Sequence, residues 1–234
     1  MEKHYCSVSV SPIRAEVSEK SEMTSQILYG ETCEILETEG LYSKIKMDFD
    51  GYEGWINNSV LKKQNSKVSK NLITQSFGVF DGPEGKNLLS IGSEVEFSAE
   101  NLTDKARLRE SLVETAKKFL NVPYLWGGRS FFGIDCSGFV QLVYKVHGIS
   151  LPRDADKQAE IGFSRDFVEE SEPGDLAFFE NENGFITHVG LVLSPFEIIH
   201  ASGKVRIDSL DFSGIYNAEK NKHTHKLRMV KNFL

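Results

Sequence analysis

Cysteine is scarce in this 234-residue chain. Its three thiols, Cys6, Cys33 and Cys136, are odd in number and widely spaced, which argues against a disulfide framework and against a structural zinc site. Basic charge is also in deficit. Lysine and arginine total 27 against 34 acidic residues, a net charge of −7, and no basic run is dense enough to track a phosphate backbone, so nucleic acid is not an expected partner. Long apolar runs are missing too, and Met1-Glu2-Lys3-His4-Tyr5 does not open the basic-then-apolar pattern of a signal segment. The expectation is therefore a cytoplasmic protein without membrane insertion, or a secreted or periplasmic one where a native signal has been removed. The remaining composition, 40% hydrophobic and 26% charged, is that of an ordinary globular chain.

Against that background the densest stretch runs from Pro123 to Gly148. Phe139, Leu142, Val143 and Val146 recur at three- and four-residue spacing, which predicts a helix with one apolar face, stopped by Gly148. Cys136 then falls in the first turn behind Asp135 as N-cap, where free amides and the macrodipole favour a thiolate. A lone cysteine beside apolar residues is ordinarily a small buried hydrophobe. Here Asp135 and Ser137 flank the sulfur with polar groups, and Gly127, Gly128, Gly133 and Gly138 supply close backbone approach of a kind that a site needs.

Upstream, Val8 to Leu61 reads as short strands punctuated by Gly30, Gly40, Asp50-Gly51 and Gly54, a small all-β barrel. Leu28-Tyr-Gly30-Glu-Thr-Cys-Glu-Ile35 is echoed by Ser90-Ile-Gly92-Ser-Glu-Val-Glu-Phe97, so 68–100 reads either as a second, degenerate barrel or as accessory strands, with Lys62 to Lys67 as the link. Asp104 to Leu120 is helical by pattern, with Thr103 or Asp104 as cap. After the cysteine helix, Leu151 to Gln158 is a loop entering a short helix capped by Asp154. Strands follow at Leu176 to Glu180, Thr187 to Leu193, Glu197 to Ala201 and Lys226 to Val230. Helices followed by antiparallel strands make the C-terminal part α+β.

Among the six histidines, His188 and His200 each stand among apolar strand residues, where an unpaired imidazole would be costly, so each is the other's nearest candidate partner. His4, His147, His223 and His225 read as ordinary surface or core histidines. For His188 and His200 to share a face of one hairpin, paired residue numbers must sum to an even value, and an odd-length turn around Ser194-Pro195-Phe196 would provide it. A thiol with two imidazoles also raises zinc. The ligands would lie 52 and 12 residues apart with no second thiolate, so the nucleophile reading is preferred and neither metal nor cofactor is expected.

Five ordered blocks carry a resemblance: Pro123-Tyr124-x-Trp126-Gly127-Gly128, Asp135-Cys136-Ser137-Gly138-Phe139, Pro173-Gly174-Asp175-Leu176, Thr187-His188-Val189-Gly190 and Ile199-His200-Ala201-Ser202. Together they resemble the NlpC-type cell-wall cysteine peptidases. Val10 to Arg14, Gln26 to Glu31, Leu41 to Ile45 and Gly51 to Ile56 resemble the bacterial Src-homology-three domain found beside such enzymes. The resemblance implies a papain-like catalytic domain, helices packed on an antiparallel sheet, over 104–234, preceded by a barrel of Src-homology-three type over 1–62.

It further implies Cys136 as nucleophile, His188 as base and His200 as its orienting partner. Tyr124 and the Cys136 amide would meet the developing oxyanion. Ser137, Arg153 and Asp154 would line a pocket for a γ-linked D-glutamate whose α-carboxylate meets the arginine fork, beside Trp126; Ala155 departs from the serine frequent in relatives. Glu22 and Tyr52, with Asp135 nearby, would hold the free amine of an N-terminal L-alanine, consistent with the acidic series Glu16, Glu19, Glu22, Glu31, Glu34 and Glu37.

The function so implied is cleavage of γ-D-glutamyl–diamino acid bonds in peptidoglycan stem peptides, releasing L-Ala-D-Glu, by a monomer. The alternatives are an amidase or acyltransferase on the same fold, or a non-catalytic wall-binding module.

Overall fold

A computed structural model describes residues 2–64, 70–82, 85–96 and 107–234. The N-terminal strands are β1 (Lys3–Cys6), β2 (Val10–Arg14), β3 (Met23–Leu28), β4 (Thr32–Glu39), β5 (Tyr42–Met47), β6 (Glu53–Asn57) and β7 (Leu61–Lys63). They form one antiparallel sheet in the order β3-β2-β6-β5-β4-β1-β7, curled around Cys6, Ile13, Ile27, Cys33, Ile45 and Ile56. Cys6 and Cys33 are core hydrophobes, and burial pushes both thiols up to about 12. Lys62 and Lys63, expected in a linker, belong to β7 and pair with Tyr5 and His4; 65–69 lie outside the described residues.

Two ribbons follow. Strand β8 (Asn71–Leu72) pairs with β11 (Glu94–Val95), and β9 (Phe77–Gly82) with β10 (Gly85–Ser90), around a small cluster of Ile73, Leu89 and Val95. The echoing glycine turns pack against each other. Glu94 donates its amide to the Tyr29 carbonyl at 2.8 Å, and a Cβ on Gly30, whose φ is +78°, would overlap the Glu94 carbonyl. Similar sequence here reflects two turns in contact, since the described strands of this segment form ribbons.

Helix α1 spans Leu108–Lys118, shorter than expected, and the proposed caps Thr103 and Asp104 lie outside the described residues. Next come the ribbon of β12 (Arg129–Ser130) and β13 (Gly133–Ile134), helix α2 (Cys136–Lys145), and the short α3 (Ala155–Ala159). Asp154 does precede α3, but its side chain makes no capping bond.

The remaining strands are β14 (Phe163–Arg165), β15 (Leu176–Glu180), β16 (Ile186–Ser194), β17 (Glu197–Ser202), β18 (Lys204–Asp211), β19 (Gly214–Asn217) and β20 (Lys222–Asn232). Their order is β14-β20-β15-β16-β17-β18-β19, and β19 also pairs with β20, so β15 to β20 close on themselves. The C-terminal part is thus mostly sheet, closed into a six-stranded barrel that the sequence reading did not foresee. No described helix is long and apolar enough to cross a membrane.

Period-two alternation sorts these strands into two cores. Val189, Leu191, Ile199 and Ala201 join Cys136, Phe139, Leu142 and Val143 of α2, while Phe179, Val192, Ile198, Leu210 and Val230 fill the barrel. Asp175, fully buried, ties the layers by ion pairs to Arg109 at 2.9 Å and Arg165 at 2.8 Å.

Candidate active site

Cys136 opens α2, and its predicted cap is present: an Asp135 Oδ1 accepts from the Gly138 amide at 2.7 Å. Glycine at 138 is demanded by proximity, since a Cβ there would lie 2.5 Å from the Gly128 carbonyl oxygen. The thiol is only 7% exposed. Burial pushes it up to about 12, with Asp135 adding to the rise, while the Val189 and Ser137 backbone and Arg153 oppose it. Desolvation thus opposes the thiolate that the helix terminus alone favours.

On the sheet, His188 Nε2 and His200 Nδ1 are 2.8 Å apart, and His200 Nε2 lies 3.0 Å from Asp208 Oδ2. Asp208 is an acid that sequence reasoning missed, although Lys204-Val-Arg-Ile-Asp208 alternates as a strand should. Burial would raise its carboxyl, but His200 and Arg206 outweigh that and hold it below the usual value. The chain of bonds fixes tautomers: His200 donates from Nε2 to the carboxylate, its Nδ1 accepts from His188 Nε2, and His188 Nδ1 keeps its lone pair. Burial, then His200 and His225, hold the His188 imidazole well below 6.5.

The hairpin parity is even, since Gly190↔His200 and Val192↔Ile198 both sum to 390. The device differs from expectation. Only Pro195 and Phe196 separate the pair Ser194↔Glu197, an even turn, and a bulge at Leu193 restores the parity.

His188 turns toward Phe179 on the barrel side, one residue from the Val189 backbone that the thiol meets. The described hydrogen bonds do not include one between Cys136 and His188. His225, set aside in the sequence, stacks on His188 with centroids 4.1 Å apart and planes 24° apart. Burial lowers it to about 4, with His200 contributing. The three imidazoles bring one nitrogen each within 4.8 Å of one another. Lone pairs lie in ring planes, and the near-parallel planes of His188 and His225 do not converge on one ion, so the arrangement is a stack. His147 is structural, bonded to Thr115 at 3.0 Å.

A cavity of about 500 Å³ joins the thiol to the first barrel, with Glu22, Thr24 and Tyr52 on one wall and Tyr124, Trp126 and Cys136 on the other. Gly127, at φ +72°, makes the junction possible, because a Cβ would lie 2.3 Å from the Met23 carbonyl oxygen. Trp126, 63% exposed, donates its indole N–H to Glu22 at 2.6 Å. Burial, with Cys136 and Asp135, pushes the Tyr124 phenol up to about 12, so it stays a donor.

Ser137, Arg153 and Asp154 also line the cavity, yet Arg153 is not a waiting fork. It is 3% exposed and spends its donors on both Asp135 oxygens, on Ser137 at 2.9 Å and on Ser25 at 3.0 Å. Asp135 accepts from Gly138, Ser137 and Arg153 and also lines the cavity. The acidic series disperses: Glu31 is buried among cations and Glu34 pairs with Lys3, so among the described residues Glu22 alone of the six reaches the cavity.

Residues 121–227 match the NlpC/P60 family model. The chain carries an NlpC/P60 domain. Residues 13–61, which hold most of the first sheet, match the bacterial dipeptidyl-peptidase Sh3 domain. The gamma-D-glutamyl-L-lysine dipeptidyl-peptidase of Bacillus cereus (strain ATCC 10987 / NRS 248) is 42% identical over 94 residues, covering 39% of this chain and 28% of that protein. This chain thus spans less than a third of that relative's length. Dipeptidyl-peptidase 6 of Lysinibacillus sphaericus is 26% identical over 243 residues, covering 84% and 88% of the two chains. Among solved structures, an NlpC/P60 family protein from Bacillus cereus ATCC 10987 superposes with TM-score 0.81 over 99% of both chains at 19% identity, a likeness of fold. In this NlpC/P60 domain, Cys136, the imidazole chain and the Trp126 loop all fall within the matched span.

Proposed function

We propose that the chain is a cysteine peptidase cutting the γ-D-glutamyl–diamino acid bond of peptidoglycan stem peptides that carry a free N-terminal L-alanine, with release of L-Ala-D-Glu. The observation that carries the reading is the shared cavity: a buried thiol opens into a space that the Sh3 domain closes with Glu22 and Tyr52. The names of the relatives agree with a glutamyl dipeptidyl-peptidase. The thiol at the start of α2 and the imidazole chain on β16 and β17 support it further.

In this reading Cys136 Sγ attacks the γ-carbonyl carbon while its proton passes to His188 Nδ1. The carbonyl oxygen gains charge facing the Tyr124 hydroxyl and the Cys136 amide, which as the first of its helix has no intrahelical acceptor. His188 then protonates the departing amine, leaving a thioester, and water deprotonated by the same imidazole hydrolyses it. His200 and Asp208 hold the imidazole and take up its charge. The thiol and imidazole approach within bonding distance only with substrate bound, as unliganded sites often require. Glu22 receives the alanine ammonium and Tyr52 borders it. Arg153 acts as a positioning residue for Asp135 and so for the start of α2. Meeting released peptides of this kind fits a cytoplasmic monomer.

Incubation with L-Ala-γ-D-Glu-L-Lys, with products read by mass spectrometry, tests the proposal. L-Ala-D-Glu and lysine are expected from the wild type and neither from Cys136→Ala. Retained turnover in that variant excludes Cys136 as nucleophile. Intact peptide with the wild type favours the wall-binding alternative, and acyl transfer to an added amine favours the acyltransferase.

A further inference from the structure

Glu22 reaches the catalytic cavity from a loop, 15–22, that joins β2 to β3 and contains neither helix nor strand. Val17 is its one large apolar side chain, so burial contributes little to its shape and polar bonds must set it. Within the loop the Ala15 amide donates to the Glu22 carbonyl at 3.0 Å, the Ser21 amide to the Ser18 carbonyl at 3.1 Å and the Glu16 amide to the Ser21 hydroxyl at 2.9 Å. These bonds close the loop on itself, and its ties to the barrel run through Arg14 and Glu19.

Arg14 ends β2 in register with Trp55 of β6, and its guanidinium turns to the loop. Nη1 donates to the Ser21 carbonyl at 2.7 Å, and Nη2 lies 3.5 Å from the Glu19 carboxylate. The same carboxylate is hydrogen-bonded by the Tyr42 hydroxyl and, at 3.5 Å, by the Asn57 amide. Arg14, Glu19, Tyr42, Trp55 and Asn57 line a cleft of about 300 Å³ that, among the described residues, shares none with the catalytic cavity. One loop therefore serves two clefts, with Glu19 anchored in one and Glu22 presented to the other. The carbonyls on both sides of the Glu22 Cα are pinned, that of Ser21 by Arg14 and that of Glu22 by the Ala15 amide, so the backbone sets the direction of an exposed side chain.

We propose that Arg14 is a positioning residue for amino-terminus recognition: by holding Ser21 and Glu19 it fixes the loop that aims Glu22 at the substrate ammonium. This deepens the reading of Glu22 given above and rests on it. A guanidinium suits the task because one planar fork reaches two acceptors, whereas a lysine ammonium is a point donor on a flexible stem. Arg14 is not part of the lining of the catalytic cavity, so its effect is confined to the amine end of the substrate.

The test is kcat/KM for L-Ala-γ-D-Glu-L-Lys and its N-acetyl analogue in the wild type, Arg14→Met, Arg14→Lys, Glu19→Ala, Glu22→Gln and the double variant of Arg14→Met with Glu22→Gln. The free-to-acetylated ratio is expected to narrow by about threefold in Arg14→Met, as for a partly exposed charged contact, and by less in Arg14→Lys. The change should fall on KM of the free peptide, with kcat and the acetylated peptide nearly untouched, because a contact remote from the scissile bond is made equally in the ground and transition states. On top of Glu22→Gln, Arg14→Met should narrow the ratio no further, which a general loosening of the barrel would not give. Glu19→Ala, at an exposed position, should narrow the ratio in the same direction, and it decides the question if circular dichroism shows that Arg14→Met does not fold. A wild-type ratio in folded Arg14→Met, or in Glu19→Ala standing in for it, overturns the positioning role while leaving the peptidase reading intact, and so does a narrowing that adds fully to that of Glu22→Gln. A wild type that cleaves both peptides equally overturns the reading of Glu22 and this inference together.

Discussion

Burial raises the Cys136 thiol and lowers the His188 imidazole, and both shifts favour the neutral forms. The active protonation state of the base is neutral His188, and a lowered value keeps it neutral further into acid. The acid limb of kcat/KM is therefore expected below pH 6.5; a pH profile with its limb at or above that value would contradict the desolvated site. His225 is a positioning residue in this scheme. In His225→Ala the stack is lost, worth about 1 kcal/mol, so kcat should fall several-fold with little change in KM. Removing His225 also lifts a repulsion and admits water, both of which raise the His188 value, so the acid limb should move up. An unmoved limb would mean that His225 only fills space. At this scale the helix start at Cys136 and the contact of His188 with His200 were legible because each lies in a strong local pattern. His225 was not, because its contact with His188 exists only after β20 closes onto β15 and β19, a pairing that no local spacing encodes.

The elements that carry these residues depend on register. The bulge at Leu193 lets an even turn coexist with same-face imidazoles, and its removal should leave Val192↔Ile198 in place. Deletion of Leu193 is thus expected to retain activity within about tenfold, since the ladder on the histidine side is untouched. An alanine inserted between Val189 and Gly190 shifts His188 by one position, turns it to the opposite face, and should abolish turnover. Assays of the two variants side by side, with circular dichroism to confirm folding, check the claim; equal activities would contradict it. The helix of Cys136 and four of the C-terminal strands were readable from period, to within a few residues at their ends. Strands β18 and β19 were passed over, and with them Asp208 and the barrel closure, because Ser209, Asp211 and Gly214 dilute the apolar pattern that marks a strand.

Across the whole molecule, the Sh3 domain and the catalytic domain are bolted by a buried ionic cluster. Glu31 of the first accepts from both terminal nitrogens of Arg129 at 2.7 Å and also from Lys145, while Gln141 bonds Asp50 at 2.8 Å. Arg129 and Lys145 each lie over the Phe49 ring. Burial would raise the Glu31 carboxyl, but the two cations outweigh it and hold it at about 2. A depressed carboxyl contributes stability that is present above its unfolded value of 4.5 and is lost as pH falls through the depressed value. Glu31→Ala strands two buried cations and should cost about 3–5 kcal/mol in urea denaturation, together with loss of the acid transition assigned to Glu31. A cost within 1 kcal/mol would show that the domains are held by other contacts.

That junction is what places Glu22 beside the thiol, and the central claim is that it makes the enzyme read a free amino terminus. Glu22 is exposed and shared with Trp126, so its pairing with an ammonium is worth about 1–2 kcal/mol, less than a fully buried pair would give. The most direct measurement is kcat/KM for L-Ala-γ-D-Glu-L-Lys against its N-acetyl analogue. A loss of about five- to thirtyfold on acetylation, narrowed in Glu22→Gln, is the predicted result. Equal kcat/KM for the free and acetylated peptides would contradict it.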